Sequence, residues 1–322
     1  MREYSTIVDI DVVIPTFGRP ESVNNTLRML LDQDTLPRRV IVVNQTPGIY
    51  SAAPEVRQLY VDADLELIWI NRESANVMAA QNAALLAASS EICLILDDDI
   101  IPPADLVRKH WERHQDGKGW VAVGGQVWHR LPKTDTKQLS LDLPNHGTSP
   151  HLQNMNNDLI PGGPLVGCNW SVRREIVIAL GGWDEAFVGS ANYQEADFTN
   201  RLICHGYPFV WDPSIWTIHL RLPSGGCRIP GSKLFPEWTK STNFFLYKYR
   251  YPDDVPWKKV LIMALRAGPL RRENVIRPWS WPSAWASFLK AWWLGRCKAR
   301  NPVLPILALK TNTNDGVVKM SK

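Results

Sequence analysis

Apolar runs of five or six residues alternate along the first third of the chain with longer stretches in which apolar residues recur every three or four positions. "IDVVIP" (Ile10–Pro15), "RVIVV" (Arg39–Val43), "LELIWI" (Leu65–Ile70) and "ICLIL" (Ile92–Leu96) read as strands. Between them, "RPESVNNTLRMLL" opens with Pro20 and Glu21, a favourable helix start, and sets Val23, Leu27 and Leu30 on one face. "ANVMAAQNAALLAAS" (Ala75–Ser89) and "PADLVRKHWERHQ" (Pro103–Gln115) read as further helices. Strands apolar throughout are buried on both faces. The pattern therefore predicts an α/β fold with a Rossmann-like, mostly parallel sheet covered by helices on both sides.

The regularity then weakens. "WVAVGGQVWH" (Trp120–His129) reads as a strand with a glycine bend, and residues 130–160 as a long polar loop. A helix around "EADFTNRLICHG" (Glu195–Gly206) precedes two short strands, "PFVWD" (Pro208–Asp212) and "IWTIH" (Ile215–His219). From about Leu222 the texture changes to Pro, Trp and basic residues. We expect a catalytic unit over 1–222 and a helical extension over 223–322.

Charge sharpens that division. The net charge of +4 conceals −9 in residues 1–227 and +13 in residues 228–322, and the tail carries seven of the 15 tryptophans. "SAWASFLKAWWLGRCKAR" (Ser283–Arg300) sets Trp285, Phe288, Leu289, Trp292 and Trp293 on one broad helical face beside Lys290, Arg296, Lys298 and Arg300. "WKKVLIMALRAGPLRR" (Trp257–Arg272) repeats the mixture. Such composition suits a helix lying on an anionic membrane surface; packing on the catalytic unit or on a second copy is the alternative. No apolar stretch reaches the length of a spanning helix and the N-terminus lacks a signal-peptide pattern. The expected location is cytoplasmic, peripheral on the inner face of the cell membrane. The five cysteines, Cys93, Cys168, Cys204, Cys227 and Cys297, form no C-x-x-C pair and read as free thiols.

The candidate chemistry lies in "LILDDDIIPPADL" (Leu94–Leu106). Ligands of open α/β sheets bind beyond the carboxyl ends of the strands, where Asp97, Asp98 and Asp99 fall. Alternate residues of an extended segment point the same way, so Asp97 and Asp99 face one ligand. Paired carboxylates suit a hard divalent cation shared with substrate phosphates. "PTFGRP" and "NQTPG" end the first two strands with polar, turn-rich loops suited to a nucleotide, while no G-x-G-x-x-G or P-loop occurs. His110 and His114, with "WER" between them, lack the zinc signature and read as a solvated helix face.

"VVIPTFGRPESVNNTL", "NRESANVMAAQNAAL", "LILDDDIIPPADL" and "LGGWDEAF…EADFTNRL…WDPSIWTIH", in this order, resemble family 2 inverting glycosyltransferases with the GT-A fold, over roughly residues 8–222. The resemblance implies transfer of a hexosyl or deoxyhexosyl group from a nucleotide-diphosphate donor to an acceptor hydroxyl, assisted by Mn2+ or Mg2+, in surface polysaccharide or glycolipid assembly. It implies donor contacts by Pro15, Thr16, Arg19, Asn44, Asn71, Gln81, Asn82, Asp97 and Asp98, and metal binding by Asp99 and His219. Glu195 takes the place of the family's catalytic aspartate. Trp183, Asp184 and Asp197 fall where the acceptor is expected, a glycan or lipid-linked glycan. Asn44, Gln81 and Gln194 depart from the family's usual residues. A nucleotidyltransferase of the same fold, or a non-catalytic nucleotide-sugar-binding homologue, is the alternative. Nucleic-acid binding by the basic tail would leave the carboxylates without a role, so no nucleic-acid partner is expected.

Overall fold

The computed structural model describes residues 6–129, 158–226, 237–252, 256–267, 269–270, 275–276, 278–300 and 317–319. Strands β1 (Thr6–Thr16), β2 (Thr35–Asn44), β3 (Glu66–Asn71) and β4 (Ile92–Leu96) alternate with helices α1 (Pro20–Leu31), α2 (Pro54–Asp62) and α3 (Val77–Ala87). The short strand β5 (Ile100–Ile101) and helix α4 (Leu106–His114) follow. Then come β6 (Ala122–His129), β7 (Ile160–Pro161), β8 (Asn169–Arg173), α5 (Arg174–Ala179), α6 (Gln194–Cys204) and β9 (Phe209–His219). Helices α7 (Glu237–Arg250), α8 (Trp257–Ala267) and α9 (Trp281–Ala299) form the extension, and β10 (Val317–Lys319) returns to the sheet.

The sheet runs β10-β3-β2-β1-β4-β8-β6-β9-β5, with β7 on β9. Strands β3, β2, β1 and β4 are parallel, while β8 pairs antiparallel with both β4 and β6. The α/β fold is as expected, and the sheet is mixed. Helix α2 and strand β8 escaped the sequence pattern because "PEVRQLYVD" and "NWSVR" are short and largely polar. The two expected strands at Pro208–Asp212 and Ile215–His219 are one continuous strand, β9.

The continuous apolar strands serve two cores at once. Val12, Ile14, Val40 and Val42 face Leu27, Tyr60 and Leu106 of α1, α2 and α4. Val13, Ile41 and Val43 face the other way, in one cluster with Leu85 of α3, Phe198 of α6 and Leu246 of α7. Burying each such aliphatic side chain contributes about 1.5–3 kcal/mol. Trp170, Trp183 and Phe198 pack together in this second core, with Trp170 edge-on to Trp183 at 6.0 Å. Helix α7 is thus part of the α/β core, although its sequence lies in the basic extension.

His110 and His114 correct an expectation: they are 0% and 2% exposed, on the buried face of α4. His110 meets Ser171 Oγ at 2.8 Å and Asn169 Oδ1 at 3.0 Å, and His114 meets Ser171 Oγ at 2.9 Å and the Trp120 carbonyl at 3.1 Å. The i, i+4 spacing put both rings on one face. Polar partners on β8, invisible locally, decided that the face turns inward.

Candidate active site

The strand order reverses direction beside β1, with β2 on one flank and β4 on the other. In an open α/β sheet such a switch point opens a crevice at the strand carboxyl ends. Here a cleft of about 340 Å³ lies there, lined by Pro15, Thr16, Phe17 and Arg19 after β1, Gln45 after β2, and Asp97 and Asp98 after β4. Ala75–Val77, Gly189, Ser190, His219 and Gly226 complete it.

Pairing brings distant residues to its floor. Ile100 of β5 pairs with His219 of β9, which sets the imidazole over the aspartates. His219 Nε2 lies 3.1 Å from Asp99 Oδ1 and 3.5 Å from Asp97 Oδ2. Leu96 of β4 pairs antiparallel with Asn169 of β8, so the next residue out from each strand, Asp97 and Cys168, are neighbours at the cleft. The ligand atoms of Asp97, Cys168 and His219 lie within 4.8 Å of one another.

The three aspartates have different environments. Asp98 is held by Thr16 Oγ1 at 2.6 Å and Arg19 Nη1 at 2.9 Å. Burial raises its carboxyl above the usual range, with Arg19 and Thr16 opposing. Asp99 accepts from the Leu222 amide at 3.0 Å and pairs with Arg19 at 3.1 Å. Burial alone would raise its carboxyl, but the hydrogen bond and charge of His219, with Arg19 and Leu222, bring it below the usual range. Asp97 keeps 36% of its side chain exposed. Desolvation pushes it up to about 7, against the pull of His219.

Arg19 is therefore a clamp within the site. Besides the two aspartates, its Nε donates to Ser224 O at 2.7 Å and its Nη2 to Gly225 O at 3.0 Å. Gly225, at φ +74°, carries no side chain that would collide with the Arg19 stem.

Glu195 stands in the first turn of α6. Its Oε1 lies against Gly167, whose lack of a side chain leaves room for it. Burial raises the Glu195 carboxyl, opposed by hydrogen bonds from its own amide, the Gln194 side chain and the Gly167 amide. Its charge is felt at Cys168, as are those of Asp97 and Asp99. The structure thus gathers Asp97, Asp99 and His219 at one floor, with Cys168 beside them and Glu195 behind, against Gly167. No spacing in the sequence signals Cys168 or Gly167, because their partners lie far away along the chain.

Other expected contacts sit further back. Asn44 donates to Ile49 O at 2.6 Å and Asn71 Oδ1 at 3.0 Å, and Asn71 also accepts from Trp69 Nε1 at 3.1 Å. These amides shape the loop after β2. Asn82 bridges Trp183 N and O, each at 2.8 Å, and Gln81 is buried beside it on α3. Trp183 is 2% exposed in the core. Asp184 and Asp197 share Arg250, and Asp197 also pairs with Arg201 at 3.1 Å. These three do not line the cleft. Cys227 lies outside the described residues.

Asp97, Cys168 and His219 offer a carboxylate, a thiol and an imidazole; the carboxylate and imidazole fit Mn2+, and the thiol adds a donor that later first-row ions and Zn2+ favour and Mg2+ does not.

Comparison with known proteins bears on the family and the fold. The uncharacterised glycosyltransferase YfnE of Bacillus subtilis (strain 168) is 24% identical over 258 residues, 66% of this chain and 65% of that protein. An N-acetylglucosaminyltransferase of Bradyrhizobium elkanii is 28% identical over 120 residues, 37% of this chain and 66% of that protein. The chain thus spans about two thirds of the length of these curated relatives. Residues 1–349 of S. aureus TarS superpose with a TM-score of 0.55 at 13% identity, covering 91% of this chain and 88% of that one. The same fragment in complex with UDP-GlcNAc gives 0.54 at 12% identity, again over 91% and 88%. These likenesses concern the fold, which is α/β of the GT-A type with a helical extension. Residues 11–181 match the family described as glycosyl transferase family 2, and the chain belongs to that family.

Proposed function

We propose that the chain is an inverting glycosyltransferase that moves a sugar from a nucleotide-diphosphate donor to an acceptor hydroxyl. The observation that carries this reading is the clustering of Asp97, Asp98 and His219 on one cleft at the sheet's switch point, with Glu195 behind them, seated on Gly167 and acting on Cys168. Glu195 and His219 lie beyond the family match at 11–181, so their roles are argued from geometry.

Three carboxylates, Asp97, Asp98 and Asp99, face one full cation, Arg19, and His219, with the Glu195 carboxylate behind them. A diphosphate would be repelled by that balance, which is why a divalent ion belongs in the site. When bound by Asp97 and His219, Mn2+ or Mg2+ supplies positive charge to the leaving diphosphate. Asp97 joins Asp99 and His219 in the metal-binding role: Asp99 Oδ2 is engaged by Arg19 and Leu222, and its Oδ1 lies 3.1 Å from His219 Nε2. Pro15, Thr16, Phe17 and Gln45 form the nucleotide side of the cleft. Asn44 and Asn71 act there by holding the loop wall.

Glu195 accepts the proton of the acceptor hydroxyl as its oxygen attacks the sugar C1 from the face opposite the diphosphate. The C1–oxygen bond to the leaving group breaks in the same displacement, and the anomeric centre inverts. General-base assistance contributes typically about 10²–10⁴-fold. A nucleotidyltransferase would give Glu195 no task. Glu195→Gln should keep donor affinity and lose turnover by about that factor. An unchanged turnover number refutes the assignment.

The acceptor side falls to Gly189 and Ser190, since Trp183, Asp184 and Asp197 are engaged in the core. The extension adds a partner. Ala291 and Gly295 of α9 pack on α7, while Trp285, Leu289, Trp292 and Trp293 remain 36–59% exposed. Asn243 of α7 bonds Val188 in both directions and Lys298 reaches the Ala186 carbonyl, so this extension braces the loop that carries Gly189 and Ser190. Among the described residues no helix is long and apolar enough to cross a membrane. An exposed face of tryptophan and cations fits the surface of an anionic bilayer, where a lipid-linked acceptor glycan would be presented. The division between 1–222 and 223–322 is on this reading one of task, catalysis and surface contact.

A further inference from the structure

We infer that Cys168 is a protein ligand of the divalent ion, completing with Asp97 and His219 a carboxylate–thiolate–imidazole site that selects thiophilic ions over Mg2+. The inference rests on the proposed function only for the presence of a divalent ion in the cleft. Its substance is the chemistry of one sulfur.

The geometry begins with strand register. Because β4 and β8 pair antiparallel as Leu96 with Asn169, the residue leaving β4 and the residue entering β8 stand side by side. Those residues are Asp97 and Cys168, which brings a sulfur to the carboxylate without any closeness in sequence. His219 arrives by a separate pairing, Ile100 with His219, and its Nε2 is 3.5 Å from Asp97 Oδ2. All three ligand atoms fall within 4.8 Å of one another, a separation that small side-chain adjustments close onto one ion.

A buried cysteine usually behaves as a small apolar residue, and Cys168, 4% exposed, also touches the apolar core. Its other surroundings differ from those of Cys93, which is packed inside the sheet. Its sulfur stands beside the Asp97 carboxylate and the His219 imidazole, and its chain neighbour Gly167 seats Glu195. An ordinary core thiol has no reason to sit between a carboxylate and an imidazole at the floor of a cleft. On binding, the S–H bond is replaced by a sulfur–metal bond and the proton leaves to solvent, with no change of oxidation state.

Sulfur changes which ion is held. Mg2+ demands near-ideal octahedral oxygen coordination, whereas thiolate and imidazole donors favour the later first-row ions and Zn2+. Of the neighbouring carboxylates, Glu195 is held by Gly167 and Gln194 and Asp99 Oδ2 by Arg19 and Leu222, while Asp99 Oδ1 faces the same His219 Nε2, at 3.1 Å, as a further oxygen donor beside the sulfur.

The test is titration of the metal-free, full-length protein with Co2+ alone, read by absorption. Wild type should show one equivalent of Co2+ with a thiolate-to-cobalt charge-transfer band in the near ultraviolet beside the visible ligand-field bands. Cys168→Ser and Cys168→Ala should lose the charge-transfer band, and the preference for Co2+ over Mg2+ should fall by about 10–100-fold, the scale on which perturbed metal sites weaken. Cys204→Ser, at an exposed thiol on the end of α6, should keep the band. Circular dichroism shows whether each variant is folded, and the serine and alanine variants guard against a single misfolded substitution. Ligand-field bands without a charge-transfer band in wild type overturn the inference. So does a band that survives in both Cys168 variants, or no binding of Co2+ at all. Donor binding measured in parallel separates the two readings. Mg2+-dependent donor binding without sulfur ligation leaves the transferase reading standing and removes Cys168. Sulfur ligation without donor binding does the opposite.

Discussion

A methyl group placed on Gly167 would stand 2.6 Å from Oε1 of Glu195, closer than real contacts allow. The glycine is therefore the seat of the carboxylate, and Gly167→Ala should push Glu195 out of register with the cleft. Misplacement of about 1 Å in a reacting group costs about 10²-fold in rate. We expect that loss in kcat with donor affinity retained, because Gly167 lies outside the nucleotide side of the cleft. Steady-state kinetics beside calorimetric donor binding checks it, and equal losses in both would assign Gly167 to donor binding.

The raised Glu195 carboxyl sets a pH dependence. A base must be ionised to accept a proton, so kcat should fall as pH drops through a value above the ordinary glutamate range of about 4.3. Below that inflection the rate should fall tenfold for each further step of one in pH. An inflection at or below the ordinary value, measured at saturating metal and donor, contradicts the burial of this group.

The buried histidines bear on stability. Burial lowers both His110 and His114 to about 4, with the charge of one opposing protonation of the other at His114. The unfolded chain then binds more protons than the folded one between about pH 6.5 and 4. Unfolding free energy is fully present above about 6.5 and is lost as pH falls through that window. A tenfold difference in proton affinity between the folded and unfolded chain corresponds to about 1.4 kcal/mol, so the two histidines together remove several kcal/mol by pH 4. Urea unfolding at pH 7 and pH 5 should show the decline, reduced in His110→Gln.

The tryptophan face of α9 predicts co-sedimentation with anionic vesicles at low salt and much less with neutral ones. Each Lys or Arg near an anionic surface contributes about 1 kcal/mol, so binding should weaken as salt is raised. Trp293→Ser should weaken that binding without altering α7 packing, because Phe288, Ala291 and Gly295 make that contact. Full-length protein remaining in the supernatant with anionic vesicles would assign the face to another protein surface.

Much of the fold is written in local pattern. Val12 and Val13 each occupy a core, and that double burial is what leaves "VVI" (Val12–Ile14) without polar interruption. The same logic fixed the strand ends, and so put Asp97–Asp99 at the mouth of the sheet. Helices α1, α3 and α4 were legible from apolar recurrence, and α6 from the stretch opening at Glu195. Strand β8 was not, because Asn169 and Ser171 are polar residues buried against His110 and His114, and only a packed partner makes polar residues acceptable there.

The sequence by itself determined which carboxylates end the central strand, where α6 begins, and that the tail is cationic and rich in tryptophan. These follow from residue type and short-range periodicity. Tertiary structure alone decided that Arg19 closes on Asp98 and Asp99, that Cys168 meets Asp97 and His219, and that Trp183, Asp184 and Asp197 belong to the core. Each of those contacts joins residues far apart in the chain. Register between strands and burial against a neighbouring layer set them, and neither is a property of any segment read alone.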